Sequence, residues 1–390
     1  MKNIRNSENS GRLLFGQDRS GLLPILAPIY YGAGQCLVSS QQSARFQILR
    51  DDSYNYYSRD GLNQTVLHVE RKLSDFYGLS SARLVNSGMA ALLVAVLVNL
   101  RPTSRIFVAT NVFIDTQLLA LNHFGQMGYE VSLFDLNECG RSELKNLRKD
   151  DIIIVESVTN PLCMKSDLVH FQGIARRTDC TLIVDNTLPS SASLSIRPGK
   201  NVLVVESLTK YHLMNAGTGG AIFAALKHRK AVHEIIKLFG LCMQPDIAAR
   251  VEQGLFTLKI RIERQVTSAM ALAEMIKSKT PIKQRKIFTL TNTTQELAPF
   301  ILLKFRNEAM AKRVLDKFRI ILPSPSFGGT ISMASLGNFH TTKEARALMD
   351  RTGTDGRFIR IFVGLEDPQV IYDDIVSSVQ RSMNSRAVAS

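Results

Sequence analysis

The sequence contains no tryptophan, few cysteines and no long hydrophobic run. Its longest apolar stretches, Ala90–Leu100 and Ala221–Leu226, are shorter than the roughly 18 residues that a membrane-spanning helix needs. The N-terminal segment also lacks the apolar core of a signal peptide. We therefore expect a cytoplasmic protein that has no membrane partner.

The cysteines and histidines show neither a disulfide framework nor the spacing of metal ligands. The five cysteines are odd in number and widely spread, and no two of them form a C-x-x-C motif. They are Cys36, Cys139, Cys163, Cys180 and Cys242. The seven histidines are also far apart in sequence. These patterns favour a reducing compartment and predict no metal site.

The net charge of +14 raises the question of a nucleic-acid partner. The basic residues are scattered along the chain, however. Their densest stretches, Lys227–Lys230, Lys259–Arg264 and Lys283–Lys286, are short and carry no interleaved aromatic residues for base stacking. A solvated basic surface is the simpler interpretation, and we expect no nucleic-acid partner.

Apolar runs alternate with helical patterns over much of the chain. Val66, Val69, Leu73 and Phe76 recur at spacings of three and four, which predicts a helix over Thr65–Tyr77. The short runs that follow are apolar on both faces, as buried parallel strands are. They include Ile106–Ala109, Asp151–Val155, Thr181–Val184, Val202–Val205 and Ala221–Ala224. The alternation predicts an α/β fold with a mainly parallel sheet.

The pattern of apolar and polar residues divides the chain into three parts. Residues 1–60 have few periodic segments and resemble an extended arm, whereas residues 61–245 contain the alternating pattern. Residues 246–390 begin with a long helical pattern at Ile247–Lys277, followed by strand-like segments at Phe300–Phe305 and Phe358–Val363. We expect a large α/β domain and a smaller α+β domain at the C-terminus.

Two charged side chains follow neighbouring strands of the predicted sheet. Asp185 ends the strand Thr181–Val184, and Lys210 follows the strand Val202–Val205. Ligands of such sheets bind beyond the carboxyl ends of the strands. A desolvated lysine can form a Schiff base, and a carboxylate opposite it can hold a pyridinium nitrogen protonated. Each residue alone is more often a surface or turn residue, but together they predict a pyridoxal 5′-phosphate (PLP) site.

A phosphate site is predicted from two further segments. Ser87 and Gly88 precede an apolar helix, whose N-terminus attracts anions, although such a pair is more often only a helix cap. Ser207 and Thr209 would add hydroxyl groups close to Lys210. The PLP phosphate is therefore expected at this point.

Several ordered motifs resemble those of the cystathionine γ-synthase-like enzymes, the PLP-dependent family of Cys/Met metabolism. The similarity covers roughly residues 20–380. The matching segments are Tyr57-Ser-Arg59-Asp-Gly, Asn86-Ser-Gly-Met-Ala-Ala91, Glu156-Ser-Val-Thr-Asn160-Pro161, Val184-Asp185-Asn186-Thr187, Ser207-Leu-Thr-Lys210-Tyr211, Gly254–Glu263 and Arg360–Pro368. This resemblance implies a fold-type I, aminotransferase-like PLP enzyme.

The resemblance also implies a role for each matching residue. Lys210 would hold PLP covalently and then carry protons, and Asp185 would pair with the pyridine nitrogen. The other cofactor contacts implied are Ser87, Gly88, Met89, Phe113, Asn160, Ser207 and Thr209, with Tyr57 and Arg59 reaching the phosphate of a neighbouring subunit. Arg360 would clamp the substrate carboxylate, with Ser326 beside it. Shared sites imply a homodimer or a homotetramer.

The chain departs from the family pattern around the substrate. Phe113 replaces a tyrosine, so it can stack on the cofactor but lacks a hydroxyl. Ile331 replaces a glutamate, and the loop after Lys210 is one residue shorter. Asp115 and His212 are nearby candidates to replace the missing hydroxyl.

The expected function is therefore PLP-dependent γ-replacement or γ-elimination on a sulfur-containing or O-activated amino acid, in transsulfuration-type metabolism. A specialised biosynthetic variant is compatible with Phe113. Two alternatives stay open from the sequence: β-elimination of the cystathionine β-lyase kind, and a non-catalytic homologue that binds PLP.

Overall fold

The computed structural model describes residues 27–33, 57–60, 63–136, 143–291, 294–339, 342–351 and 355–384. Most of the predicted N-terminal arm lies outside these residues, as do Cys36 and Cys139. No helix within the described ranges is both long enough and apolar enough to cross a membrane.

A seven-stranded sheet organises the part of the chain before residue 225. Its strands are β1 (Ala82–Val85), β2 (Arg105–Ala109), β3 (Glu130–Phe134), β4 (Ile152–Glu156), β5 (Thr181–Asp185), β6 (Val202–Ser207) and β7 (Gly220–Phe223). They lie in the order β1-β7-β6-β5-β4-β2-β3. All neighbouring pairs are parallel except those made by β7, which runs antiparallel to both β6 and β1. The prediction of a mainly parallel sheet is therefore correct, although the direction of β7 was not foreseen because a strand buried on both faces looks the same in either direction.

Helices cover the faces of this sheet. They are α1 (Gln64–Tyr77), α2 (Gly88–Asn99), α3 (Ile114–Leu118, continued by a π-helix over Leu119–Phe124), α4 (Leu168–Thr178), α5 (Ser190–Ser193) and α6 (Arg229–Phe239), with short 3₁₀ turns at Ser58–Asp60 and Leu226–His228. Helix α1 begins at the Asn63 side chain, which accepts hydrogen bonds from the N–H groups of Thr65 and Val66. It ends at Gly78, whose φ of 64° is the left-handed conformation that glycine adopts most readily.

A second sheet of five strands follows in the C-terminal part. Its strands are β8 (Phe288–Leu290), β9 (Phe300–Phe305), β10 (Leu322–Pro323), β11 (Met333–Leu336) and β12 (Phe358–Phe362), in the order β10-β11-β12-β9-β8. Its helices are α7 (Pro245–Lys279), α8 (Ile282–Arg285), α9 (Glu308–Leu315), α10 (Lys343–Arg351) and α11 (Pro368–Asn384).

The long helix α7 packs against both hydrophobic cores. Its first half contributes Val251 and Leu258 to the core around the large sheet, and its second half contributes Leu272 and Ile276 to the core around the small sheet. Two sheets with separate cores support a division of the chain near residue 245. We propose this position as the boundary between domains, with α7 joining them.

Candidate active site

A cavity of about 290 Å³ lies at the carboxyl ends of β4, β5 and β6. This is the edge of a parallel sheet at which ligands bind, because the strands end there and the helix N-termini face it. The cavity is lined by Ser87, Gly88, Met89, Phe113, Asp115, Glu156, Asn160, Asp185, Thr187, Leu188, Ser207, Thr209, Lys210 and Phe327. The structure thus brings together nine of the residues that the sequence predicts for the cofactor.

Lys210 reaches this cavity from the loop that follows β6. Its Nζ lies 3.2 Å from Ser326 Oγ and 5.1 Å from the centre of the Phe327 ring. Gly328 holds these two segments together: its φ is +86°, and a Cβ there would lie only 2.4 Å from the carbonyl carbon of Lys210. Only glycine fits this contact, and it places the Ser326 hydroxyl beside the amine.

The environment favours the neutral form of the Lys210 amine. Burial and the charge of Arg360 lower the pKa of Lys210 to about 8, against the opposing effect of Asp185. In about half of the molecules the Lys210 amine is therefore neutral at pH 8, whereas an ordinary lysine is almost wholly protonated at that pH. A neutral amine is the nucleophile that a carbonyl compound requires.

Asp185 stands at the end of β5 on the wall of the same cavity. Burial raises its pKa, while hydrogen bonding from Thr187 and the charge of Lys210 act in the opposite direction. The N–H of Thr187 donates to Asp185 Oδ1 over 2.9 Å and so fixes the carboxylate. A carboxylate placed in this way is a partner for a protonated ring nitrogen.

The part of the cavity at the N-terminus of α2 is suited to a phosphate. The Ser87 hydroxyl caps α2 by accepting from the N–H of Ala90 over 3.1 Å, and the first N–H groups of α2 have no partner within the helix. A Cβ at Gly88 would lie 2.7 Å from Ser207 Cβ, so glycine allows α2 to begin against β6. Thr209 Oγ1 accepts from the N–H of Gly219 over 3.1 Å, which holds its hydroxyl at this end.

Arg360 is a buried cation behind the cavity. Its Nη2 donates to the carbonyl of Pro325 over 2.7 Å, and its Nη1 donates to Asn160 Oδ1. The Nε atom is buried and has no hydrogen-bond partner among the described residues. Desolvation lowers the pKa of Arg360, although the group stays charged. An unused donor on a fixed guanidinium is suited to a carboxylate ligand.

Glu156 is a site residue for which sequence reasoning assigned no role. It ends β4 as Asp185 ends β5, so the same rule of strand ends could have found it. Its carboxylate accepts from the N–H groups of Phe113 and Asn160, each over 2.7 Å, and burial raises its pKa well above the usual value. Glu156 therefore orients two residues that line the cavity. Phe327 and Thr187 were also not singled out.

Of the predicted substrate contacts, Arg360 and Ser326 lie beside the cavity without lining it, and two further groups of predicted residues are also separated from it. Tyr57 and Arg59 are exposed, lie against each other with the guanidinium 5.5 Å from the ring centre, and do not line the cavity. His212 is fully buried behind it and cannot replace the missing hydroxyl of Phe113. Asp115 does line the cavity and is the one of the two candidates that remains.

These features together fit PLP. The cavity offers an amine of lowered pKa, a carboxylate on the neighbouring strand, a helix N-terminus with hydroxyl groups, and the Phe113 ring. Gly88 and Arg360 supply the most specific signs: a close approach of the Gly88 backbone to Ser207 that only glycine allows, and a buried Arg360 donor that has no partner among the described residues.

Comparison with known proteins gives the same assignment. A model of the family described as "Cys/Met metabolism PLP-dependent enzyme" matches residues 24–380. An O-succinylhomoserine sulfhydrylase of Pseudomonas aeruginosa is 28% identical over 84% of this chain and 83% of its own. An L-methionine gamma-lyase of Pseudomonas putida is 25% identical over 95% of both chains.

The fold also has solved relatives. The crystal structure of a cystathionine gamma synthase from Xanthomonas oryzae pv. oryzae, in complex with aminoacrylate and cysteine, superposes with a TM-score of 0.77. The two chains are 19% identical, and the similarity covers 96% of this chain and 98% of the other. This likeness confirms the fold-type I architecture.

Proposed function

Because the chain belongs to the Cys/Met metabolism family of PLP-dependent enzymes, we propose that it catalyses γ-replacement or γ-elimination on a sulfur-containing or O-activated amino acid. The observation that carries this proposal is the convergence of Lys210 and Asp185 on one cavity, with the Ser326 hydroxyl beside the Lys210 amine and Arg360 behind the cavity. The sulfhydrylase and γ-lyase names of the relatives support γ chemistry.

The roles of the residues follow from their chemistry. When bound, PLP supplies an electron sink that makes the Cα–H of an amino acid acidic. Lys210 is suited to remove that proton and then to move protons at Cα and Cβ, since about half of its amine is in the neutral form at pH 8. Arg360 and Ser326 would bind the substrate carboxylate. Asp185 would hold the ring nitrogen, and Gly88, Ser207 and Thr209 would hold the phosphate.

A substrate panel with product analysis by mass spectrometry tests the reaction class. We expect O-succinylhomoserine or O-acetylhomoserine with a thiol to give a thioether, or to give 2-oxobutanoate when no thiol is present. Pyruvate and homocysteine released from cystathionine, with no product from the O-acyl homoserines, would indicate β-elimination instead. No product from any substrate would contradict both and would favour a non-catalytic PLP protein.

Phe113→Tyr should increase activity on cystathionine. Phe113 lines the cavity without a hydroxyl, and general acid–base assistance is typically worth about 10²–10⁴-fold. We expect a gain of roughly tenfold in kcat/KM on cystathionine, about 1.4 kcal/mol. O-acyl homoserines are the control, because their better leaving groups need less assistance and should change little. A parent enzyme that already equals the tyrosine variant on cystathionine would show that the hydroxyl is dispensable.

We further propose a cytoplasmic homodimer or homotetramer whose subunits share their active sites. Tyr57 and Arg59 are exposed and lie away from the cavity of their own chain, as residues that serve a neighbour would. Among the described cysteines, Cys163 and Cys180 are free thiols, which agrees with a reducing compartment.

A further inference from the structure

Four polar side chains form a buried ring behind the loop that carries Lys210. Tyr77 Oη lies 2.7 Å from His212 Nε2 and 3.4 Å from Ser190 Oγ. Ser190 Oγ donates to Glu206 Oε1 over 2.6 Å, and Glu206 Oε1 lies 3.8 Å from His212 Nδ1. The four residues are between 0% and 9% exposed, and none lines the cavity. They come from α1, α5, β6 and the loop after β6.

The ring holds both ends of the Lys210 loop. Glu206 directly precedes Ser207, and His212 follows Lys210 by two residues. The His212 backbone is also packed tightly on α7, because a Cβ at Gly254 would lie 1.9 Å from the His212 carbonyl oxygen. A change in the distance between Glu206 and His212 therefore acts on the segment that contains Ser207, Thr209 and Lys210.

The donors and acceptors of these four side chains allow two hydrogen-bonding arrangements of the ring. With Glu206 ionised, Nδ1–H of His212 faces the carboxylate, Nε2 accepts from the Tyr77 hydroxyl, and Ser190 donates to Glu206. With one proton added to Glu206 from solvent, that proton faces Nδ1 instead. His212 then donates from Nε2 to Tyr77, Tyr77 donates to Ser190, and Ser190 donates to Glu206. Among the residues that the structure describes, none forms a hydrogen bond with His212 Nδ1, which leaves this atom available for either arrangement.

We propose that Tyr77, Ser190, Glu206 and His212 share one exchangeable proton and position the Lys210 loop for PLP capture. Ionised Glu206 attracts the Nδ1–H of His212 and draws the two ends of the loop together, since a charged acceptor forms the stronger hydrogen bond. The protonated arrangement lacks this attraction and holds the loop less closely. The inference rests on the proposed role of Lys210.

The neighbouring charges agree with exchange near neutral pH. Burial raises the pKa of Glu206 to about 7, and the charge of Asp185 adds to this effect, against hydrogen bonds from Ser190 and Ser191. Burial and the positive charge of Arg261 on α7 lower the pKa of His212 to about 3, so the imidazole stays neutral. Burial and Glu206 raise the pKa of Tyr77. Glu206 is therefore the group that gains a proton as the pH falls through 7.

The test is the PLP dissociation constant of the apoenzyme between pH 6 and 9, measured by absorbance. Glu206→Gln resembles the protonated acid, so the variant and the parent should agree at pH 6. Above pH 7 the variant should bind PLP more weakly, by about fivefold or more at pH 8.5. Dividing the PLP dissociation constant of the variant by that of the parent removes the effect of Lys210 titration, because both proteins share that titration.

Asp374→Asn is the matched control. Asp374 is also a buried carboxylate that accepts backbone N–H bonds, from Arg319, Ile320 and Ile321, but it lies on α11 in the C-terminal part. Its variant should lower the melting temperature and leave the PLP ratio close to one at every pH. The proposal would be overturned if the ratio of the PLP dissociation constants of Glu206→Gln and the parent stayed close to one at every pH. A ratio that is raised by the same factor at every pH would also overturn it.

Tyr77→Phe provides a second test that does not depend on the folding of the glutamine variant. It removes two hydrogen bonds from the protonated arrangement and one from the ionised arrangement. The pH midpoint of the change in PLP binding should therefore be lower in Tyr77→Phe than in the parent. An unchanged midpoint would contradict proton sharing. If borohydride reduction and peptide mapping showed the cofactor on a lysine other than Lys210, the proposed cofactor site itself would fail. If they showed the cofactor on Lys210, while the ratio of the PLP dissociation constants of Glu206→Gln and the parent did not change with pH, only the proposed role of the ring would be rejected.

Discussion

Lys210→Ala should abolish turnover, with a loss of more than about 10³-fold in kcat. The substitution removes the nucleophile and the proton carrier at once, and acid–base assistance alone is worth about 10²–10⁴-fold. Borohydride reduction of the parent enzyme should fix the cofactor to its lysine, and peptide mapping should then find the cofactor on Lys210. Added methylamine should restore part of the rate of Lys210→Ala, since the variant lacks only an amine in an otherwise intact cavity.

The control for this prediction is Lys200→Ala. Lys200 lies ten residues earlier, is 71% exposed and forms a surface ion pair with Asp179, so its loss should leave kcat unchanged. PLP capture by the parent should slow as the pH falls below about 8, because Lys210 is then protonated. A reduced cofactor found on any lysine other than Lys210 would contradict the assignment.

The main parts of the site could be predicted because they follow a local rule. Asp185 and Lys210 each come after an apolar strand, and parallel strands end at one edge of the sheet. Glu156 obeys the same rule and was visible in the sequence in the same way. The contact between Lys210 and Ser326 joins residues 116 positions apart. Only the resemblance to a known family placed Ser326 near the substrate, because no local pattern encodes such a contact.

The buried ring was beyond sequence reasoning for a related reason. Tyr77, Ser190, Glu206 and His212 lie on four separate elements, and none has a spacing that points to the others. His212 looked like a candidate for proton transfer because it follows Lys210 closely. The structure turns its side chain away from the cavity toward Tyr77, and sequence distance does not show that direction.

Elements with strong periodicity were predicted better than polar ones. The pattern over Ile247–Lys277 predicts one long helix or two consecutive ones, and the structure has a single helix over Pro245–Lys279. The helix expected over Thr65–Tyr77 spans Gln64–Tyr77. Strand Met333–Leu336 was missed because its segment is short and rich in serine and glycine. Its strand conformation comes from antiparallel pairing with Phe358–Phe362, a tertiary contact that overrides weak local preference. The charged helix Lys343–Arg351 was missed because only a few of its residues, Ala345, Leu348 and Met349, form its buried apolar face.

Mixed oligomers of two inactive chains should regain activity if the active sites are shared. One chain carries Lys210→Ala and the other carries Arg59→Ala, which removes a proposed phosphate contact to the neighbouring subunit. In a dimer of the two, one site has both substitutions and the other has neither. With random pairing, half of the dimers are mixed, so about a quarter of all sites should be of the parent type. Co-expression with two different tags and sequential purification isolates the mixed species for assay.

The matched control pairs Lys210→Ala with Asp185→Asn. Both residues line one cavity of one chain, so each site of a mixed dimer keeps one of the two substitutions, whichever neighbour it has. That pair should stay inactive, whereas the pair with Arg59→Ala should recover to about half of the parent activity in purified mixed dimers. Equal inactivity of both pairs, with mixed dimers verified, would place Arg59 outside the neighbouring site. Activity in both pairs would mean that Asp185 is not required within the cavity that holds Lys210.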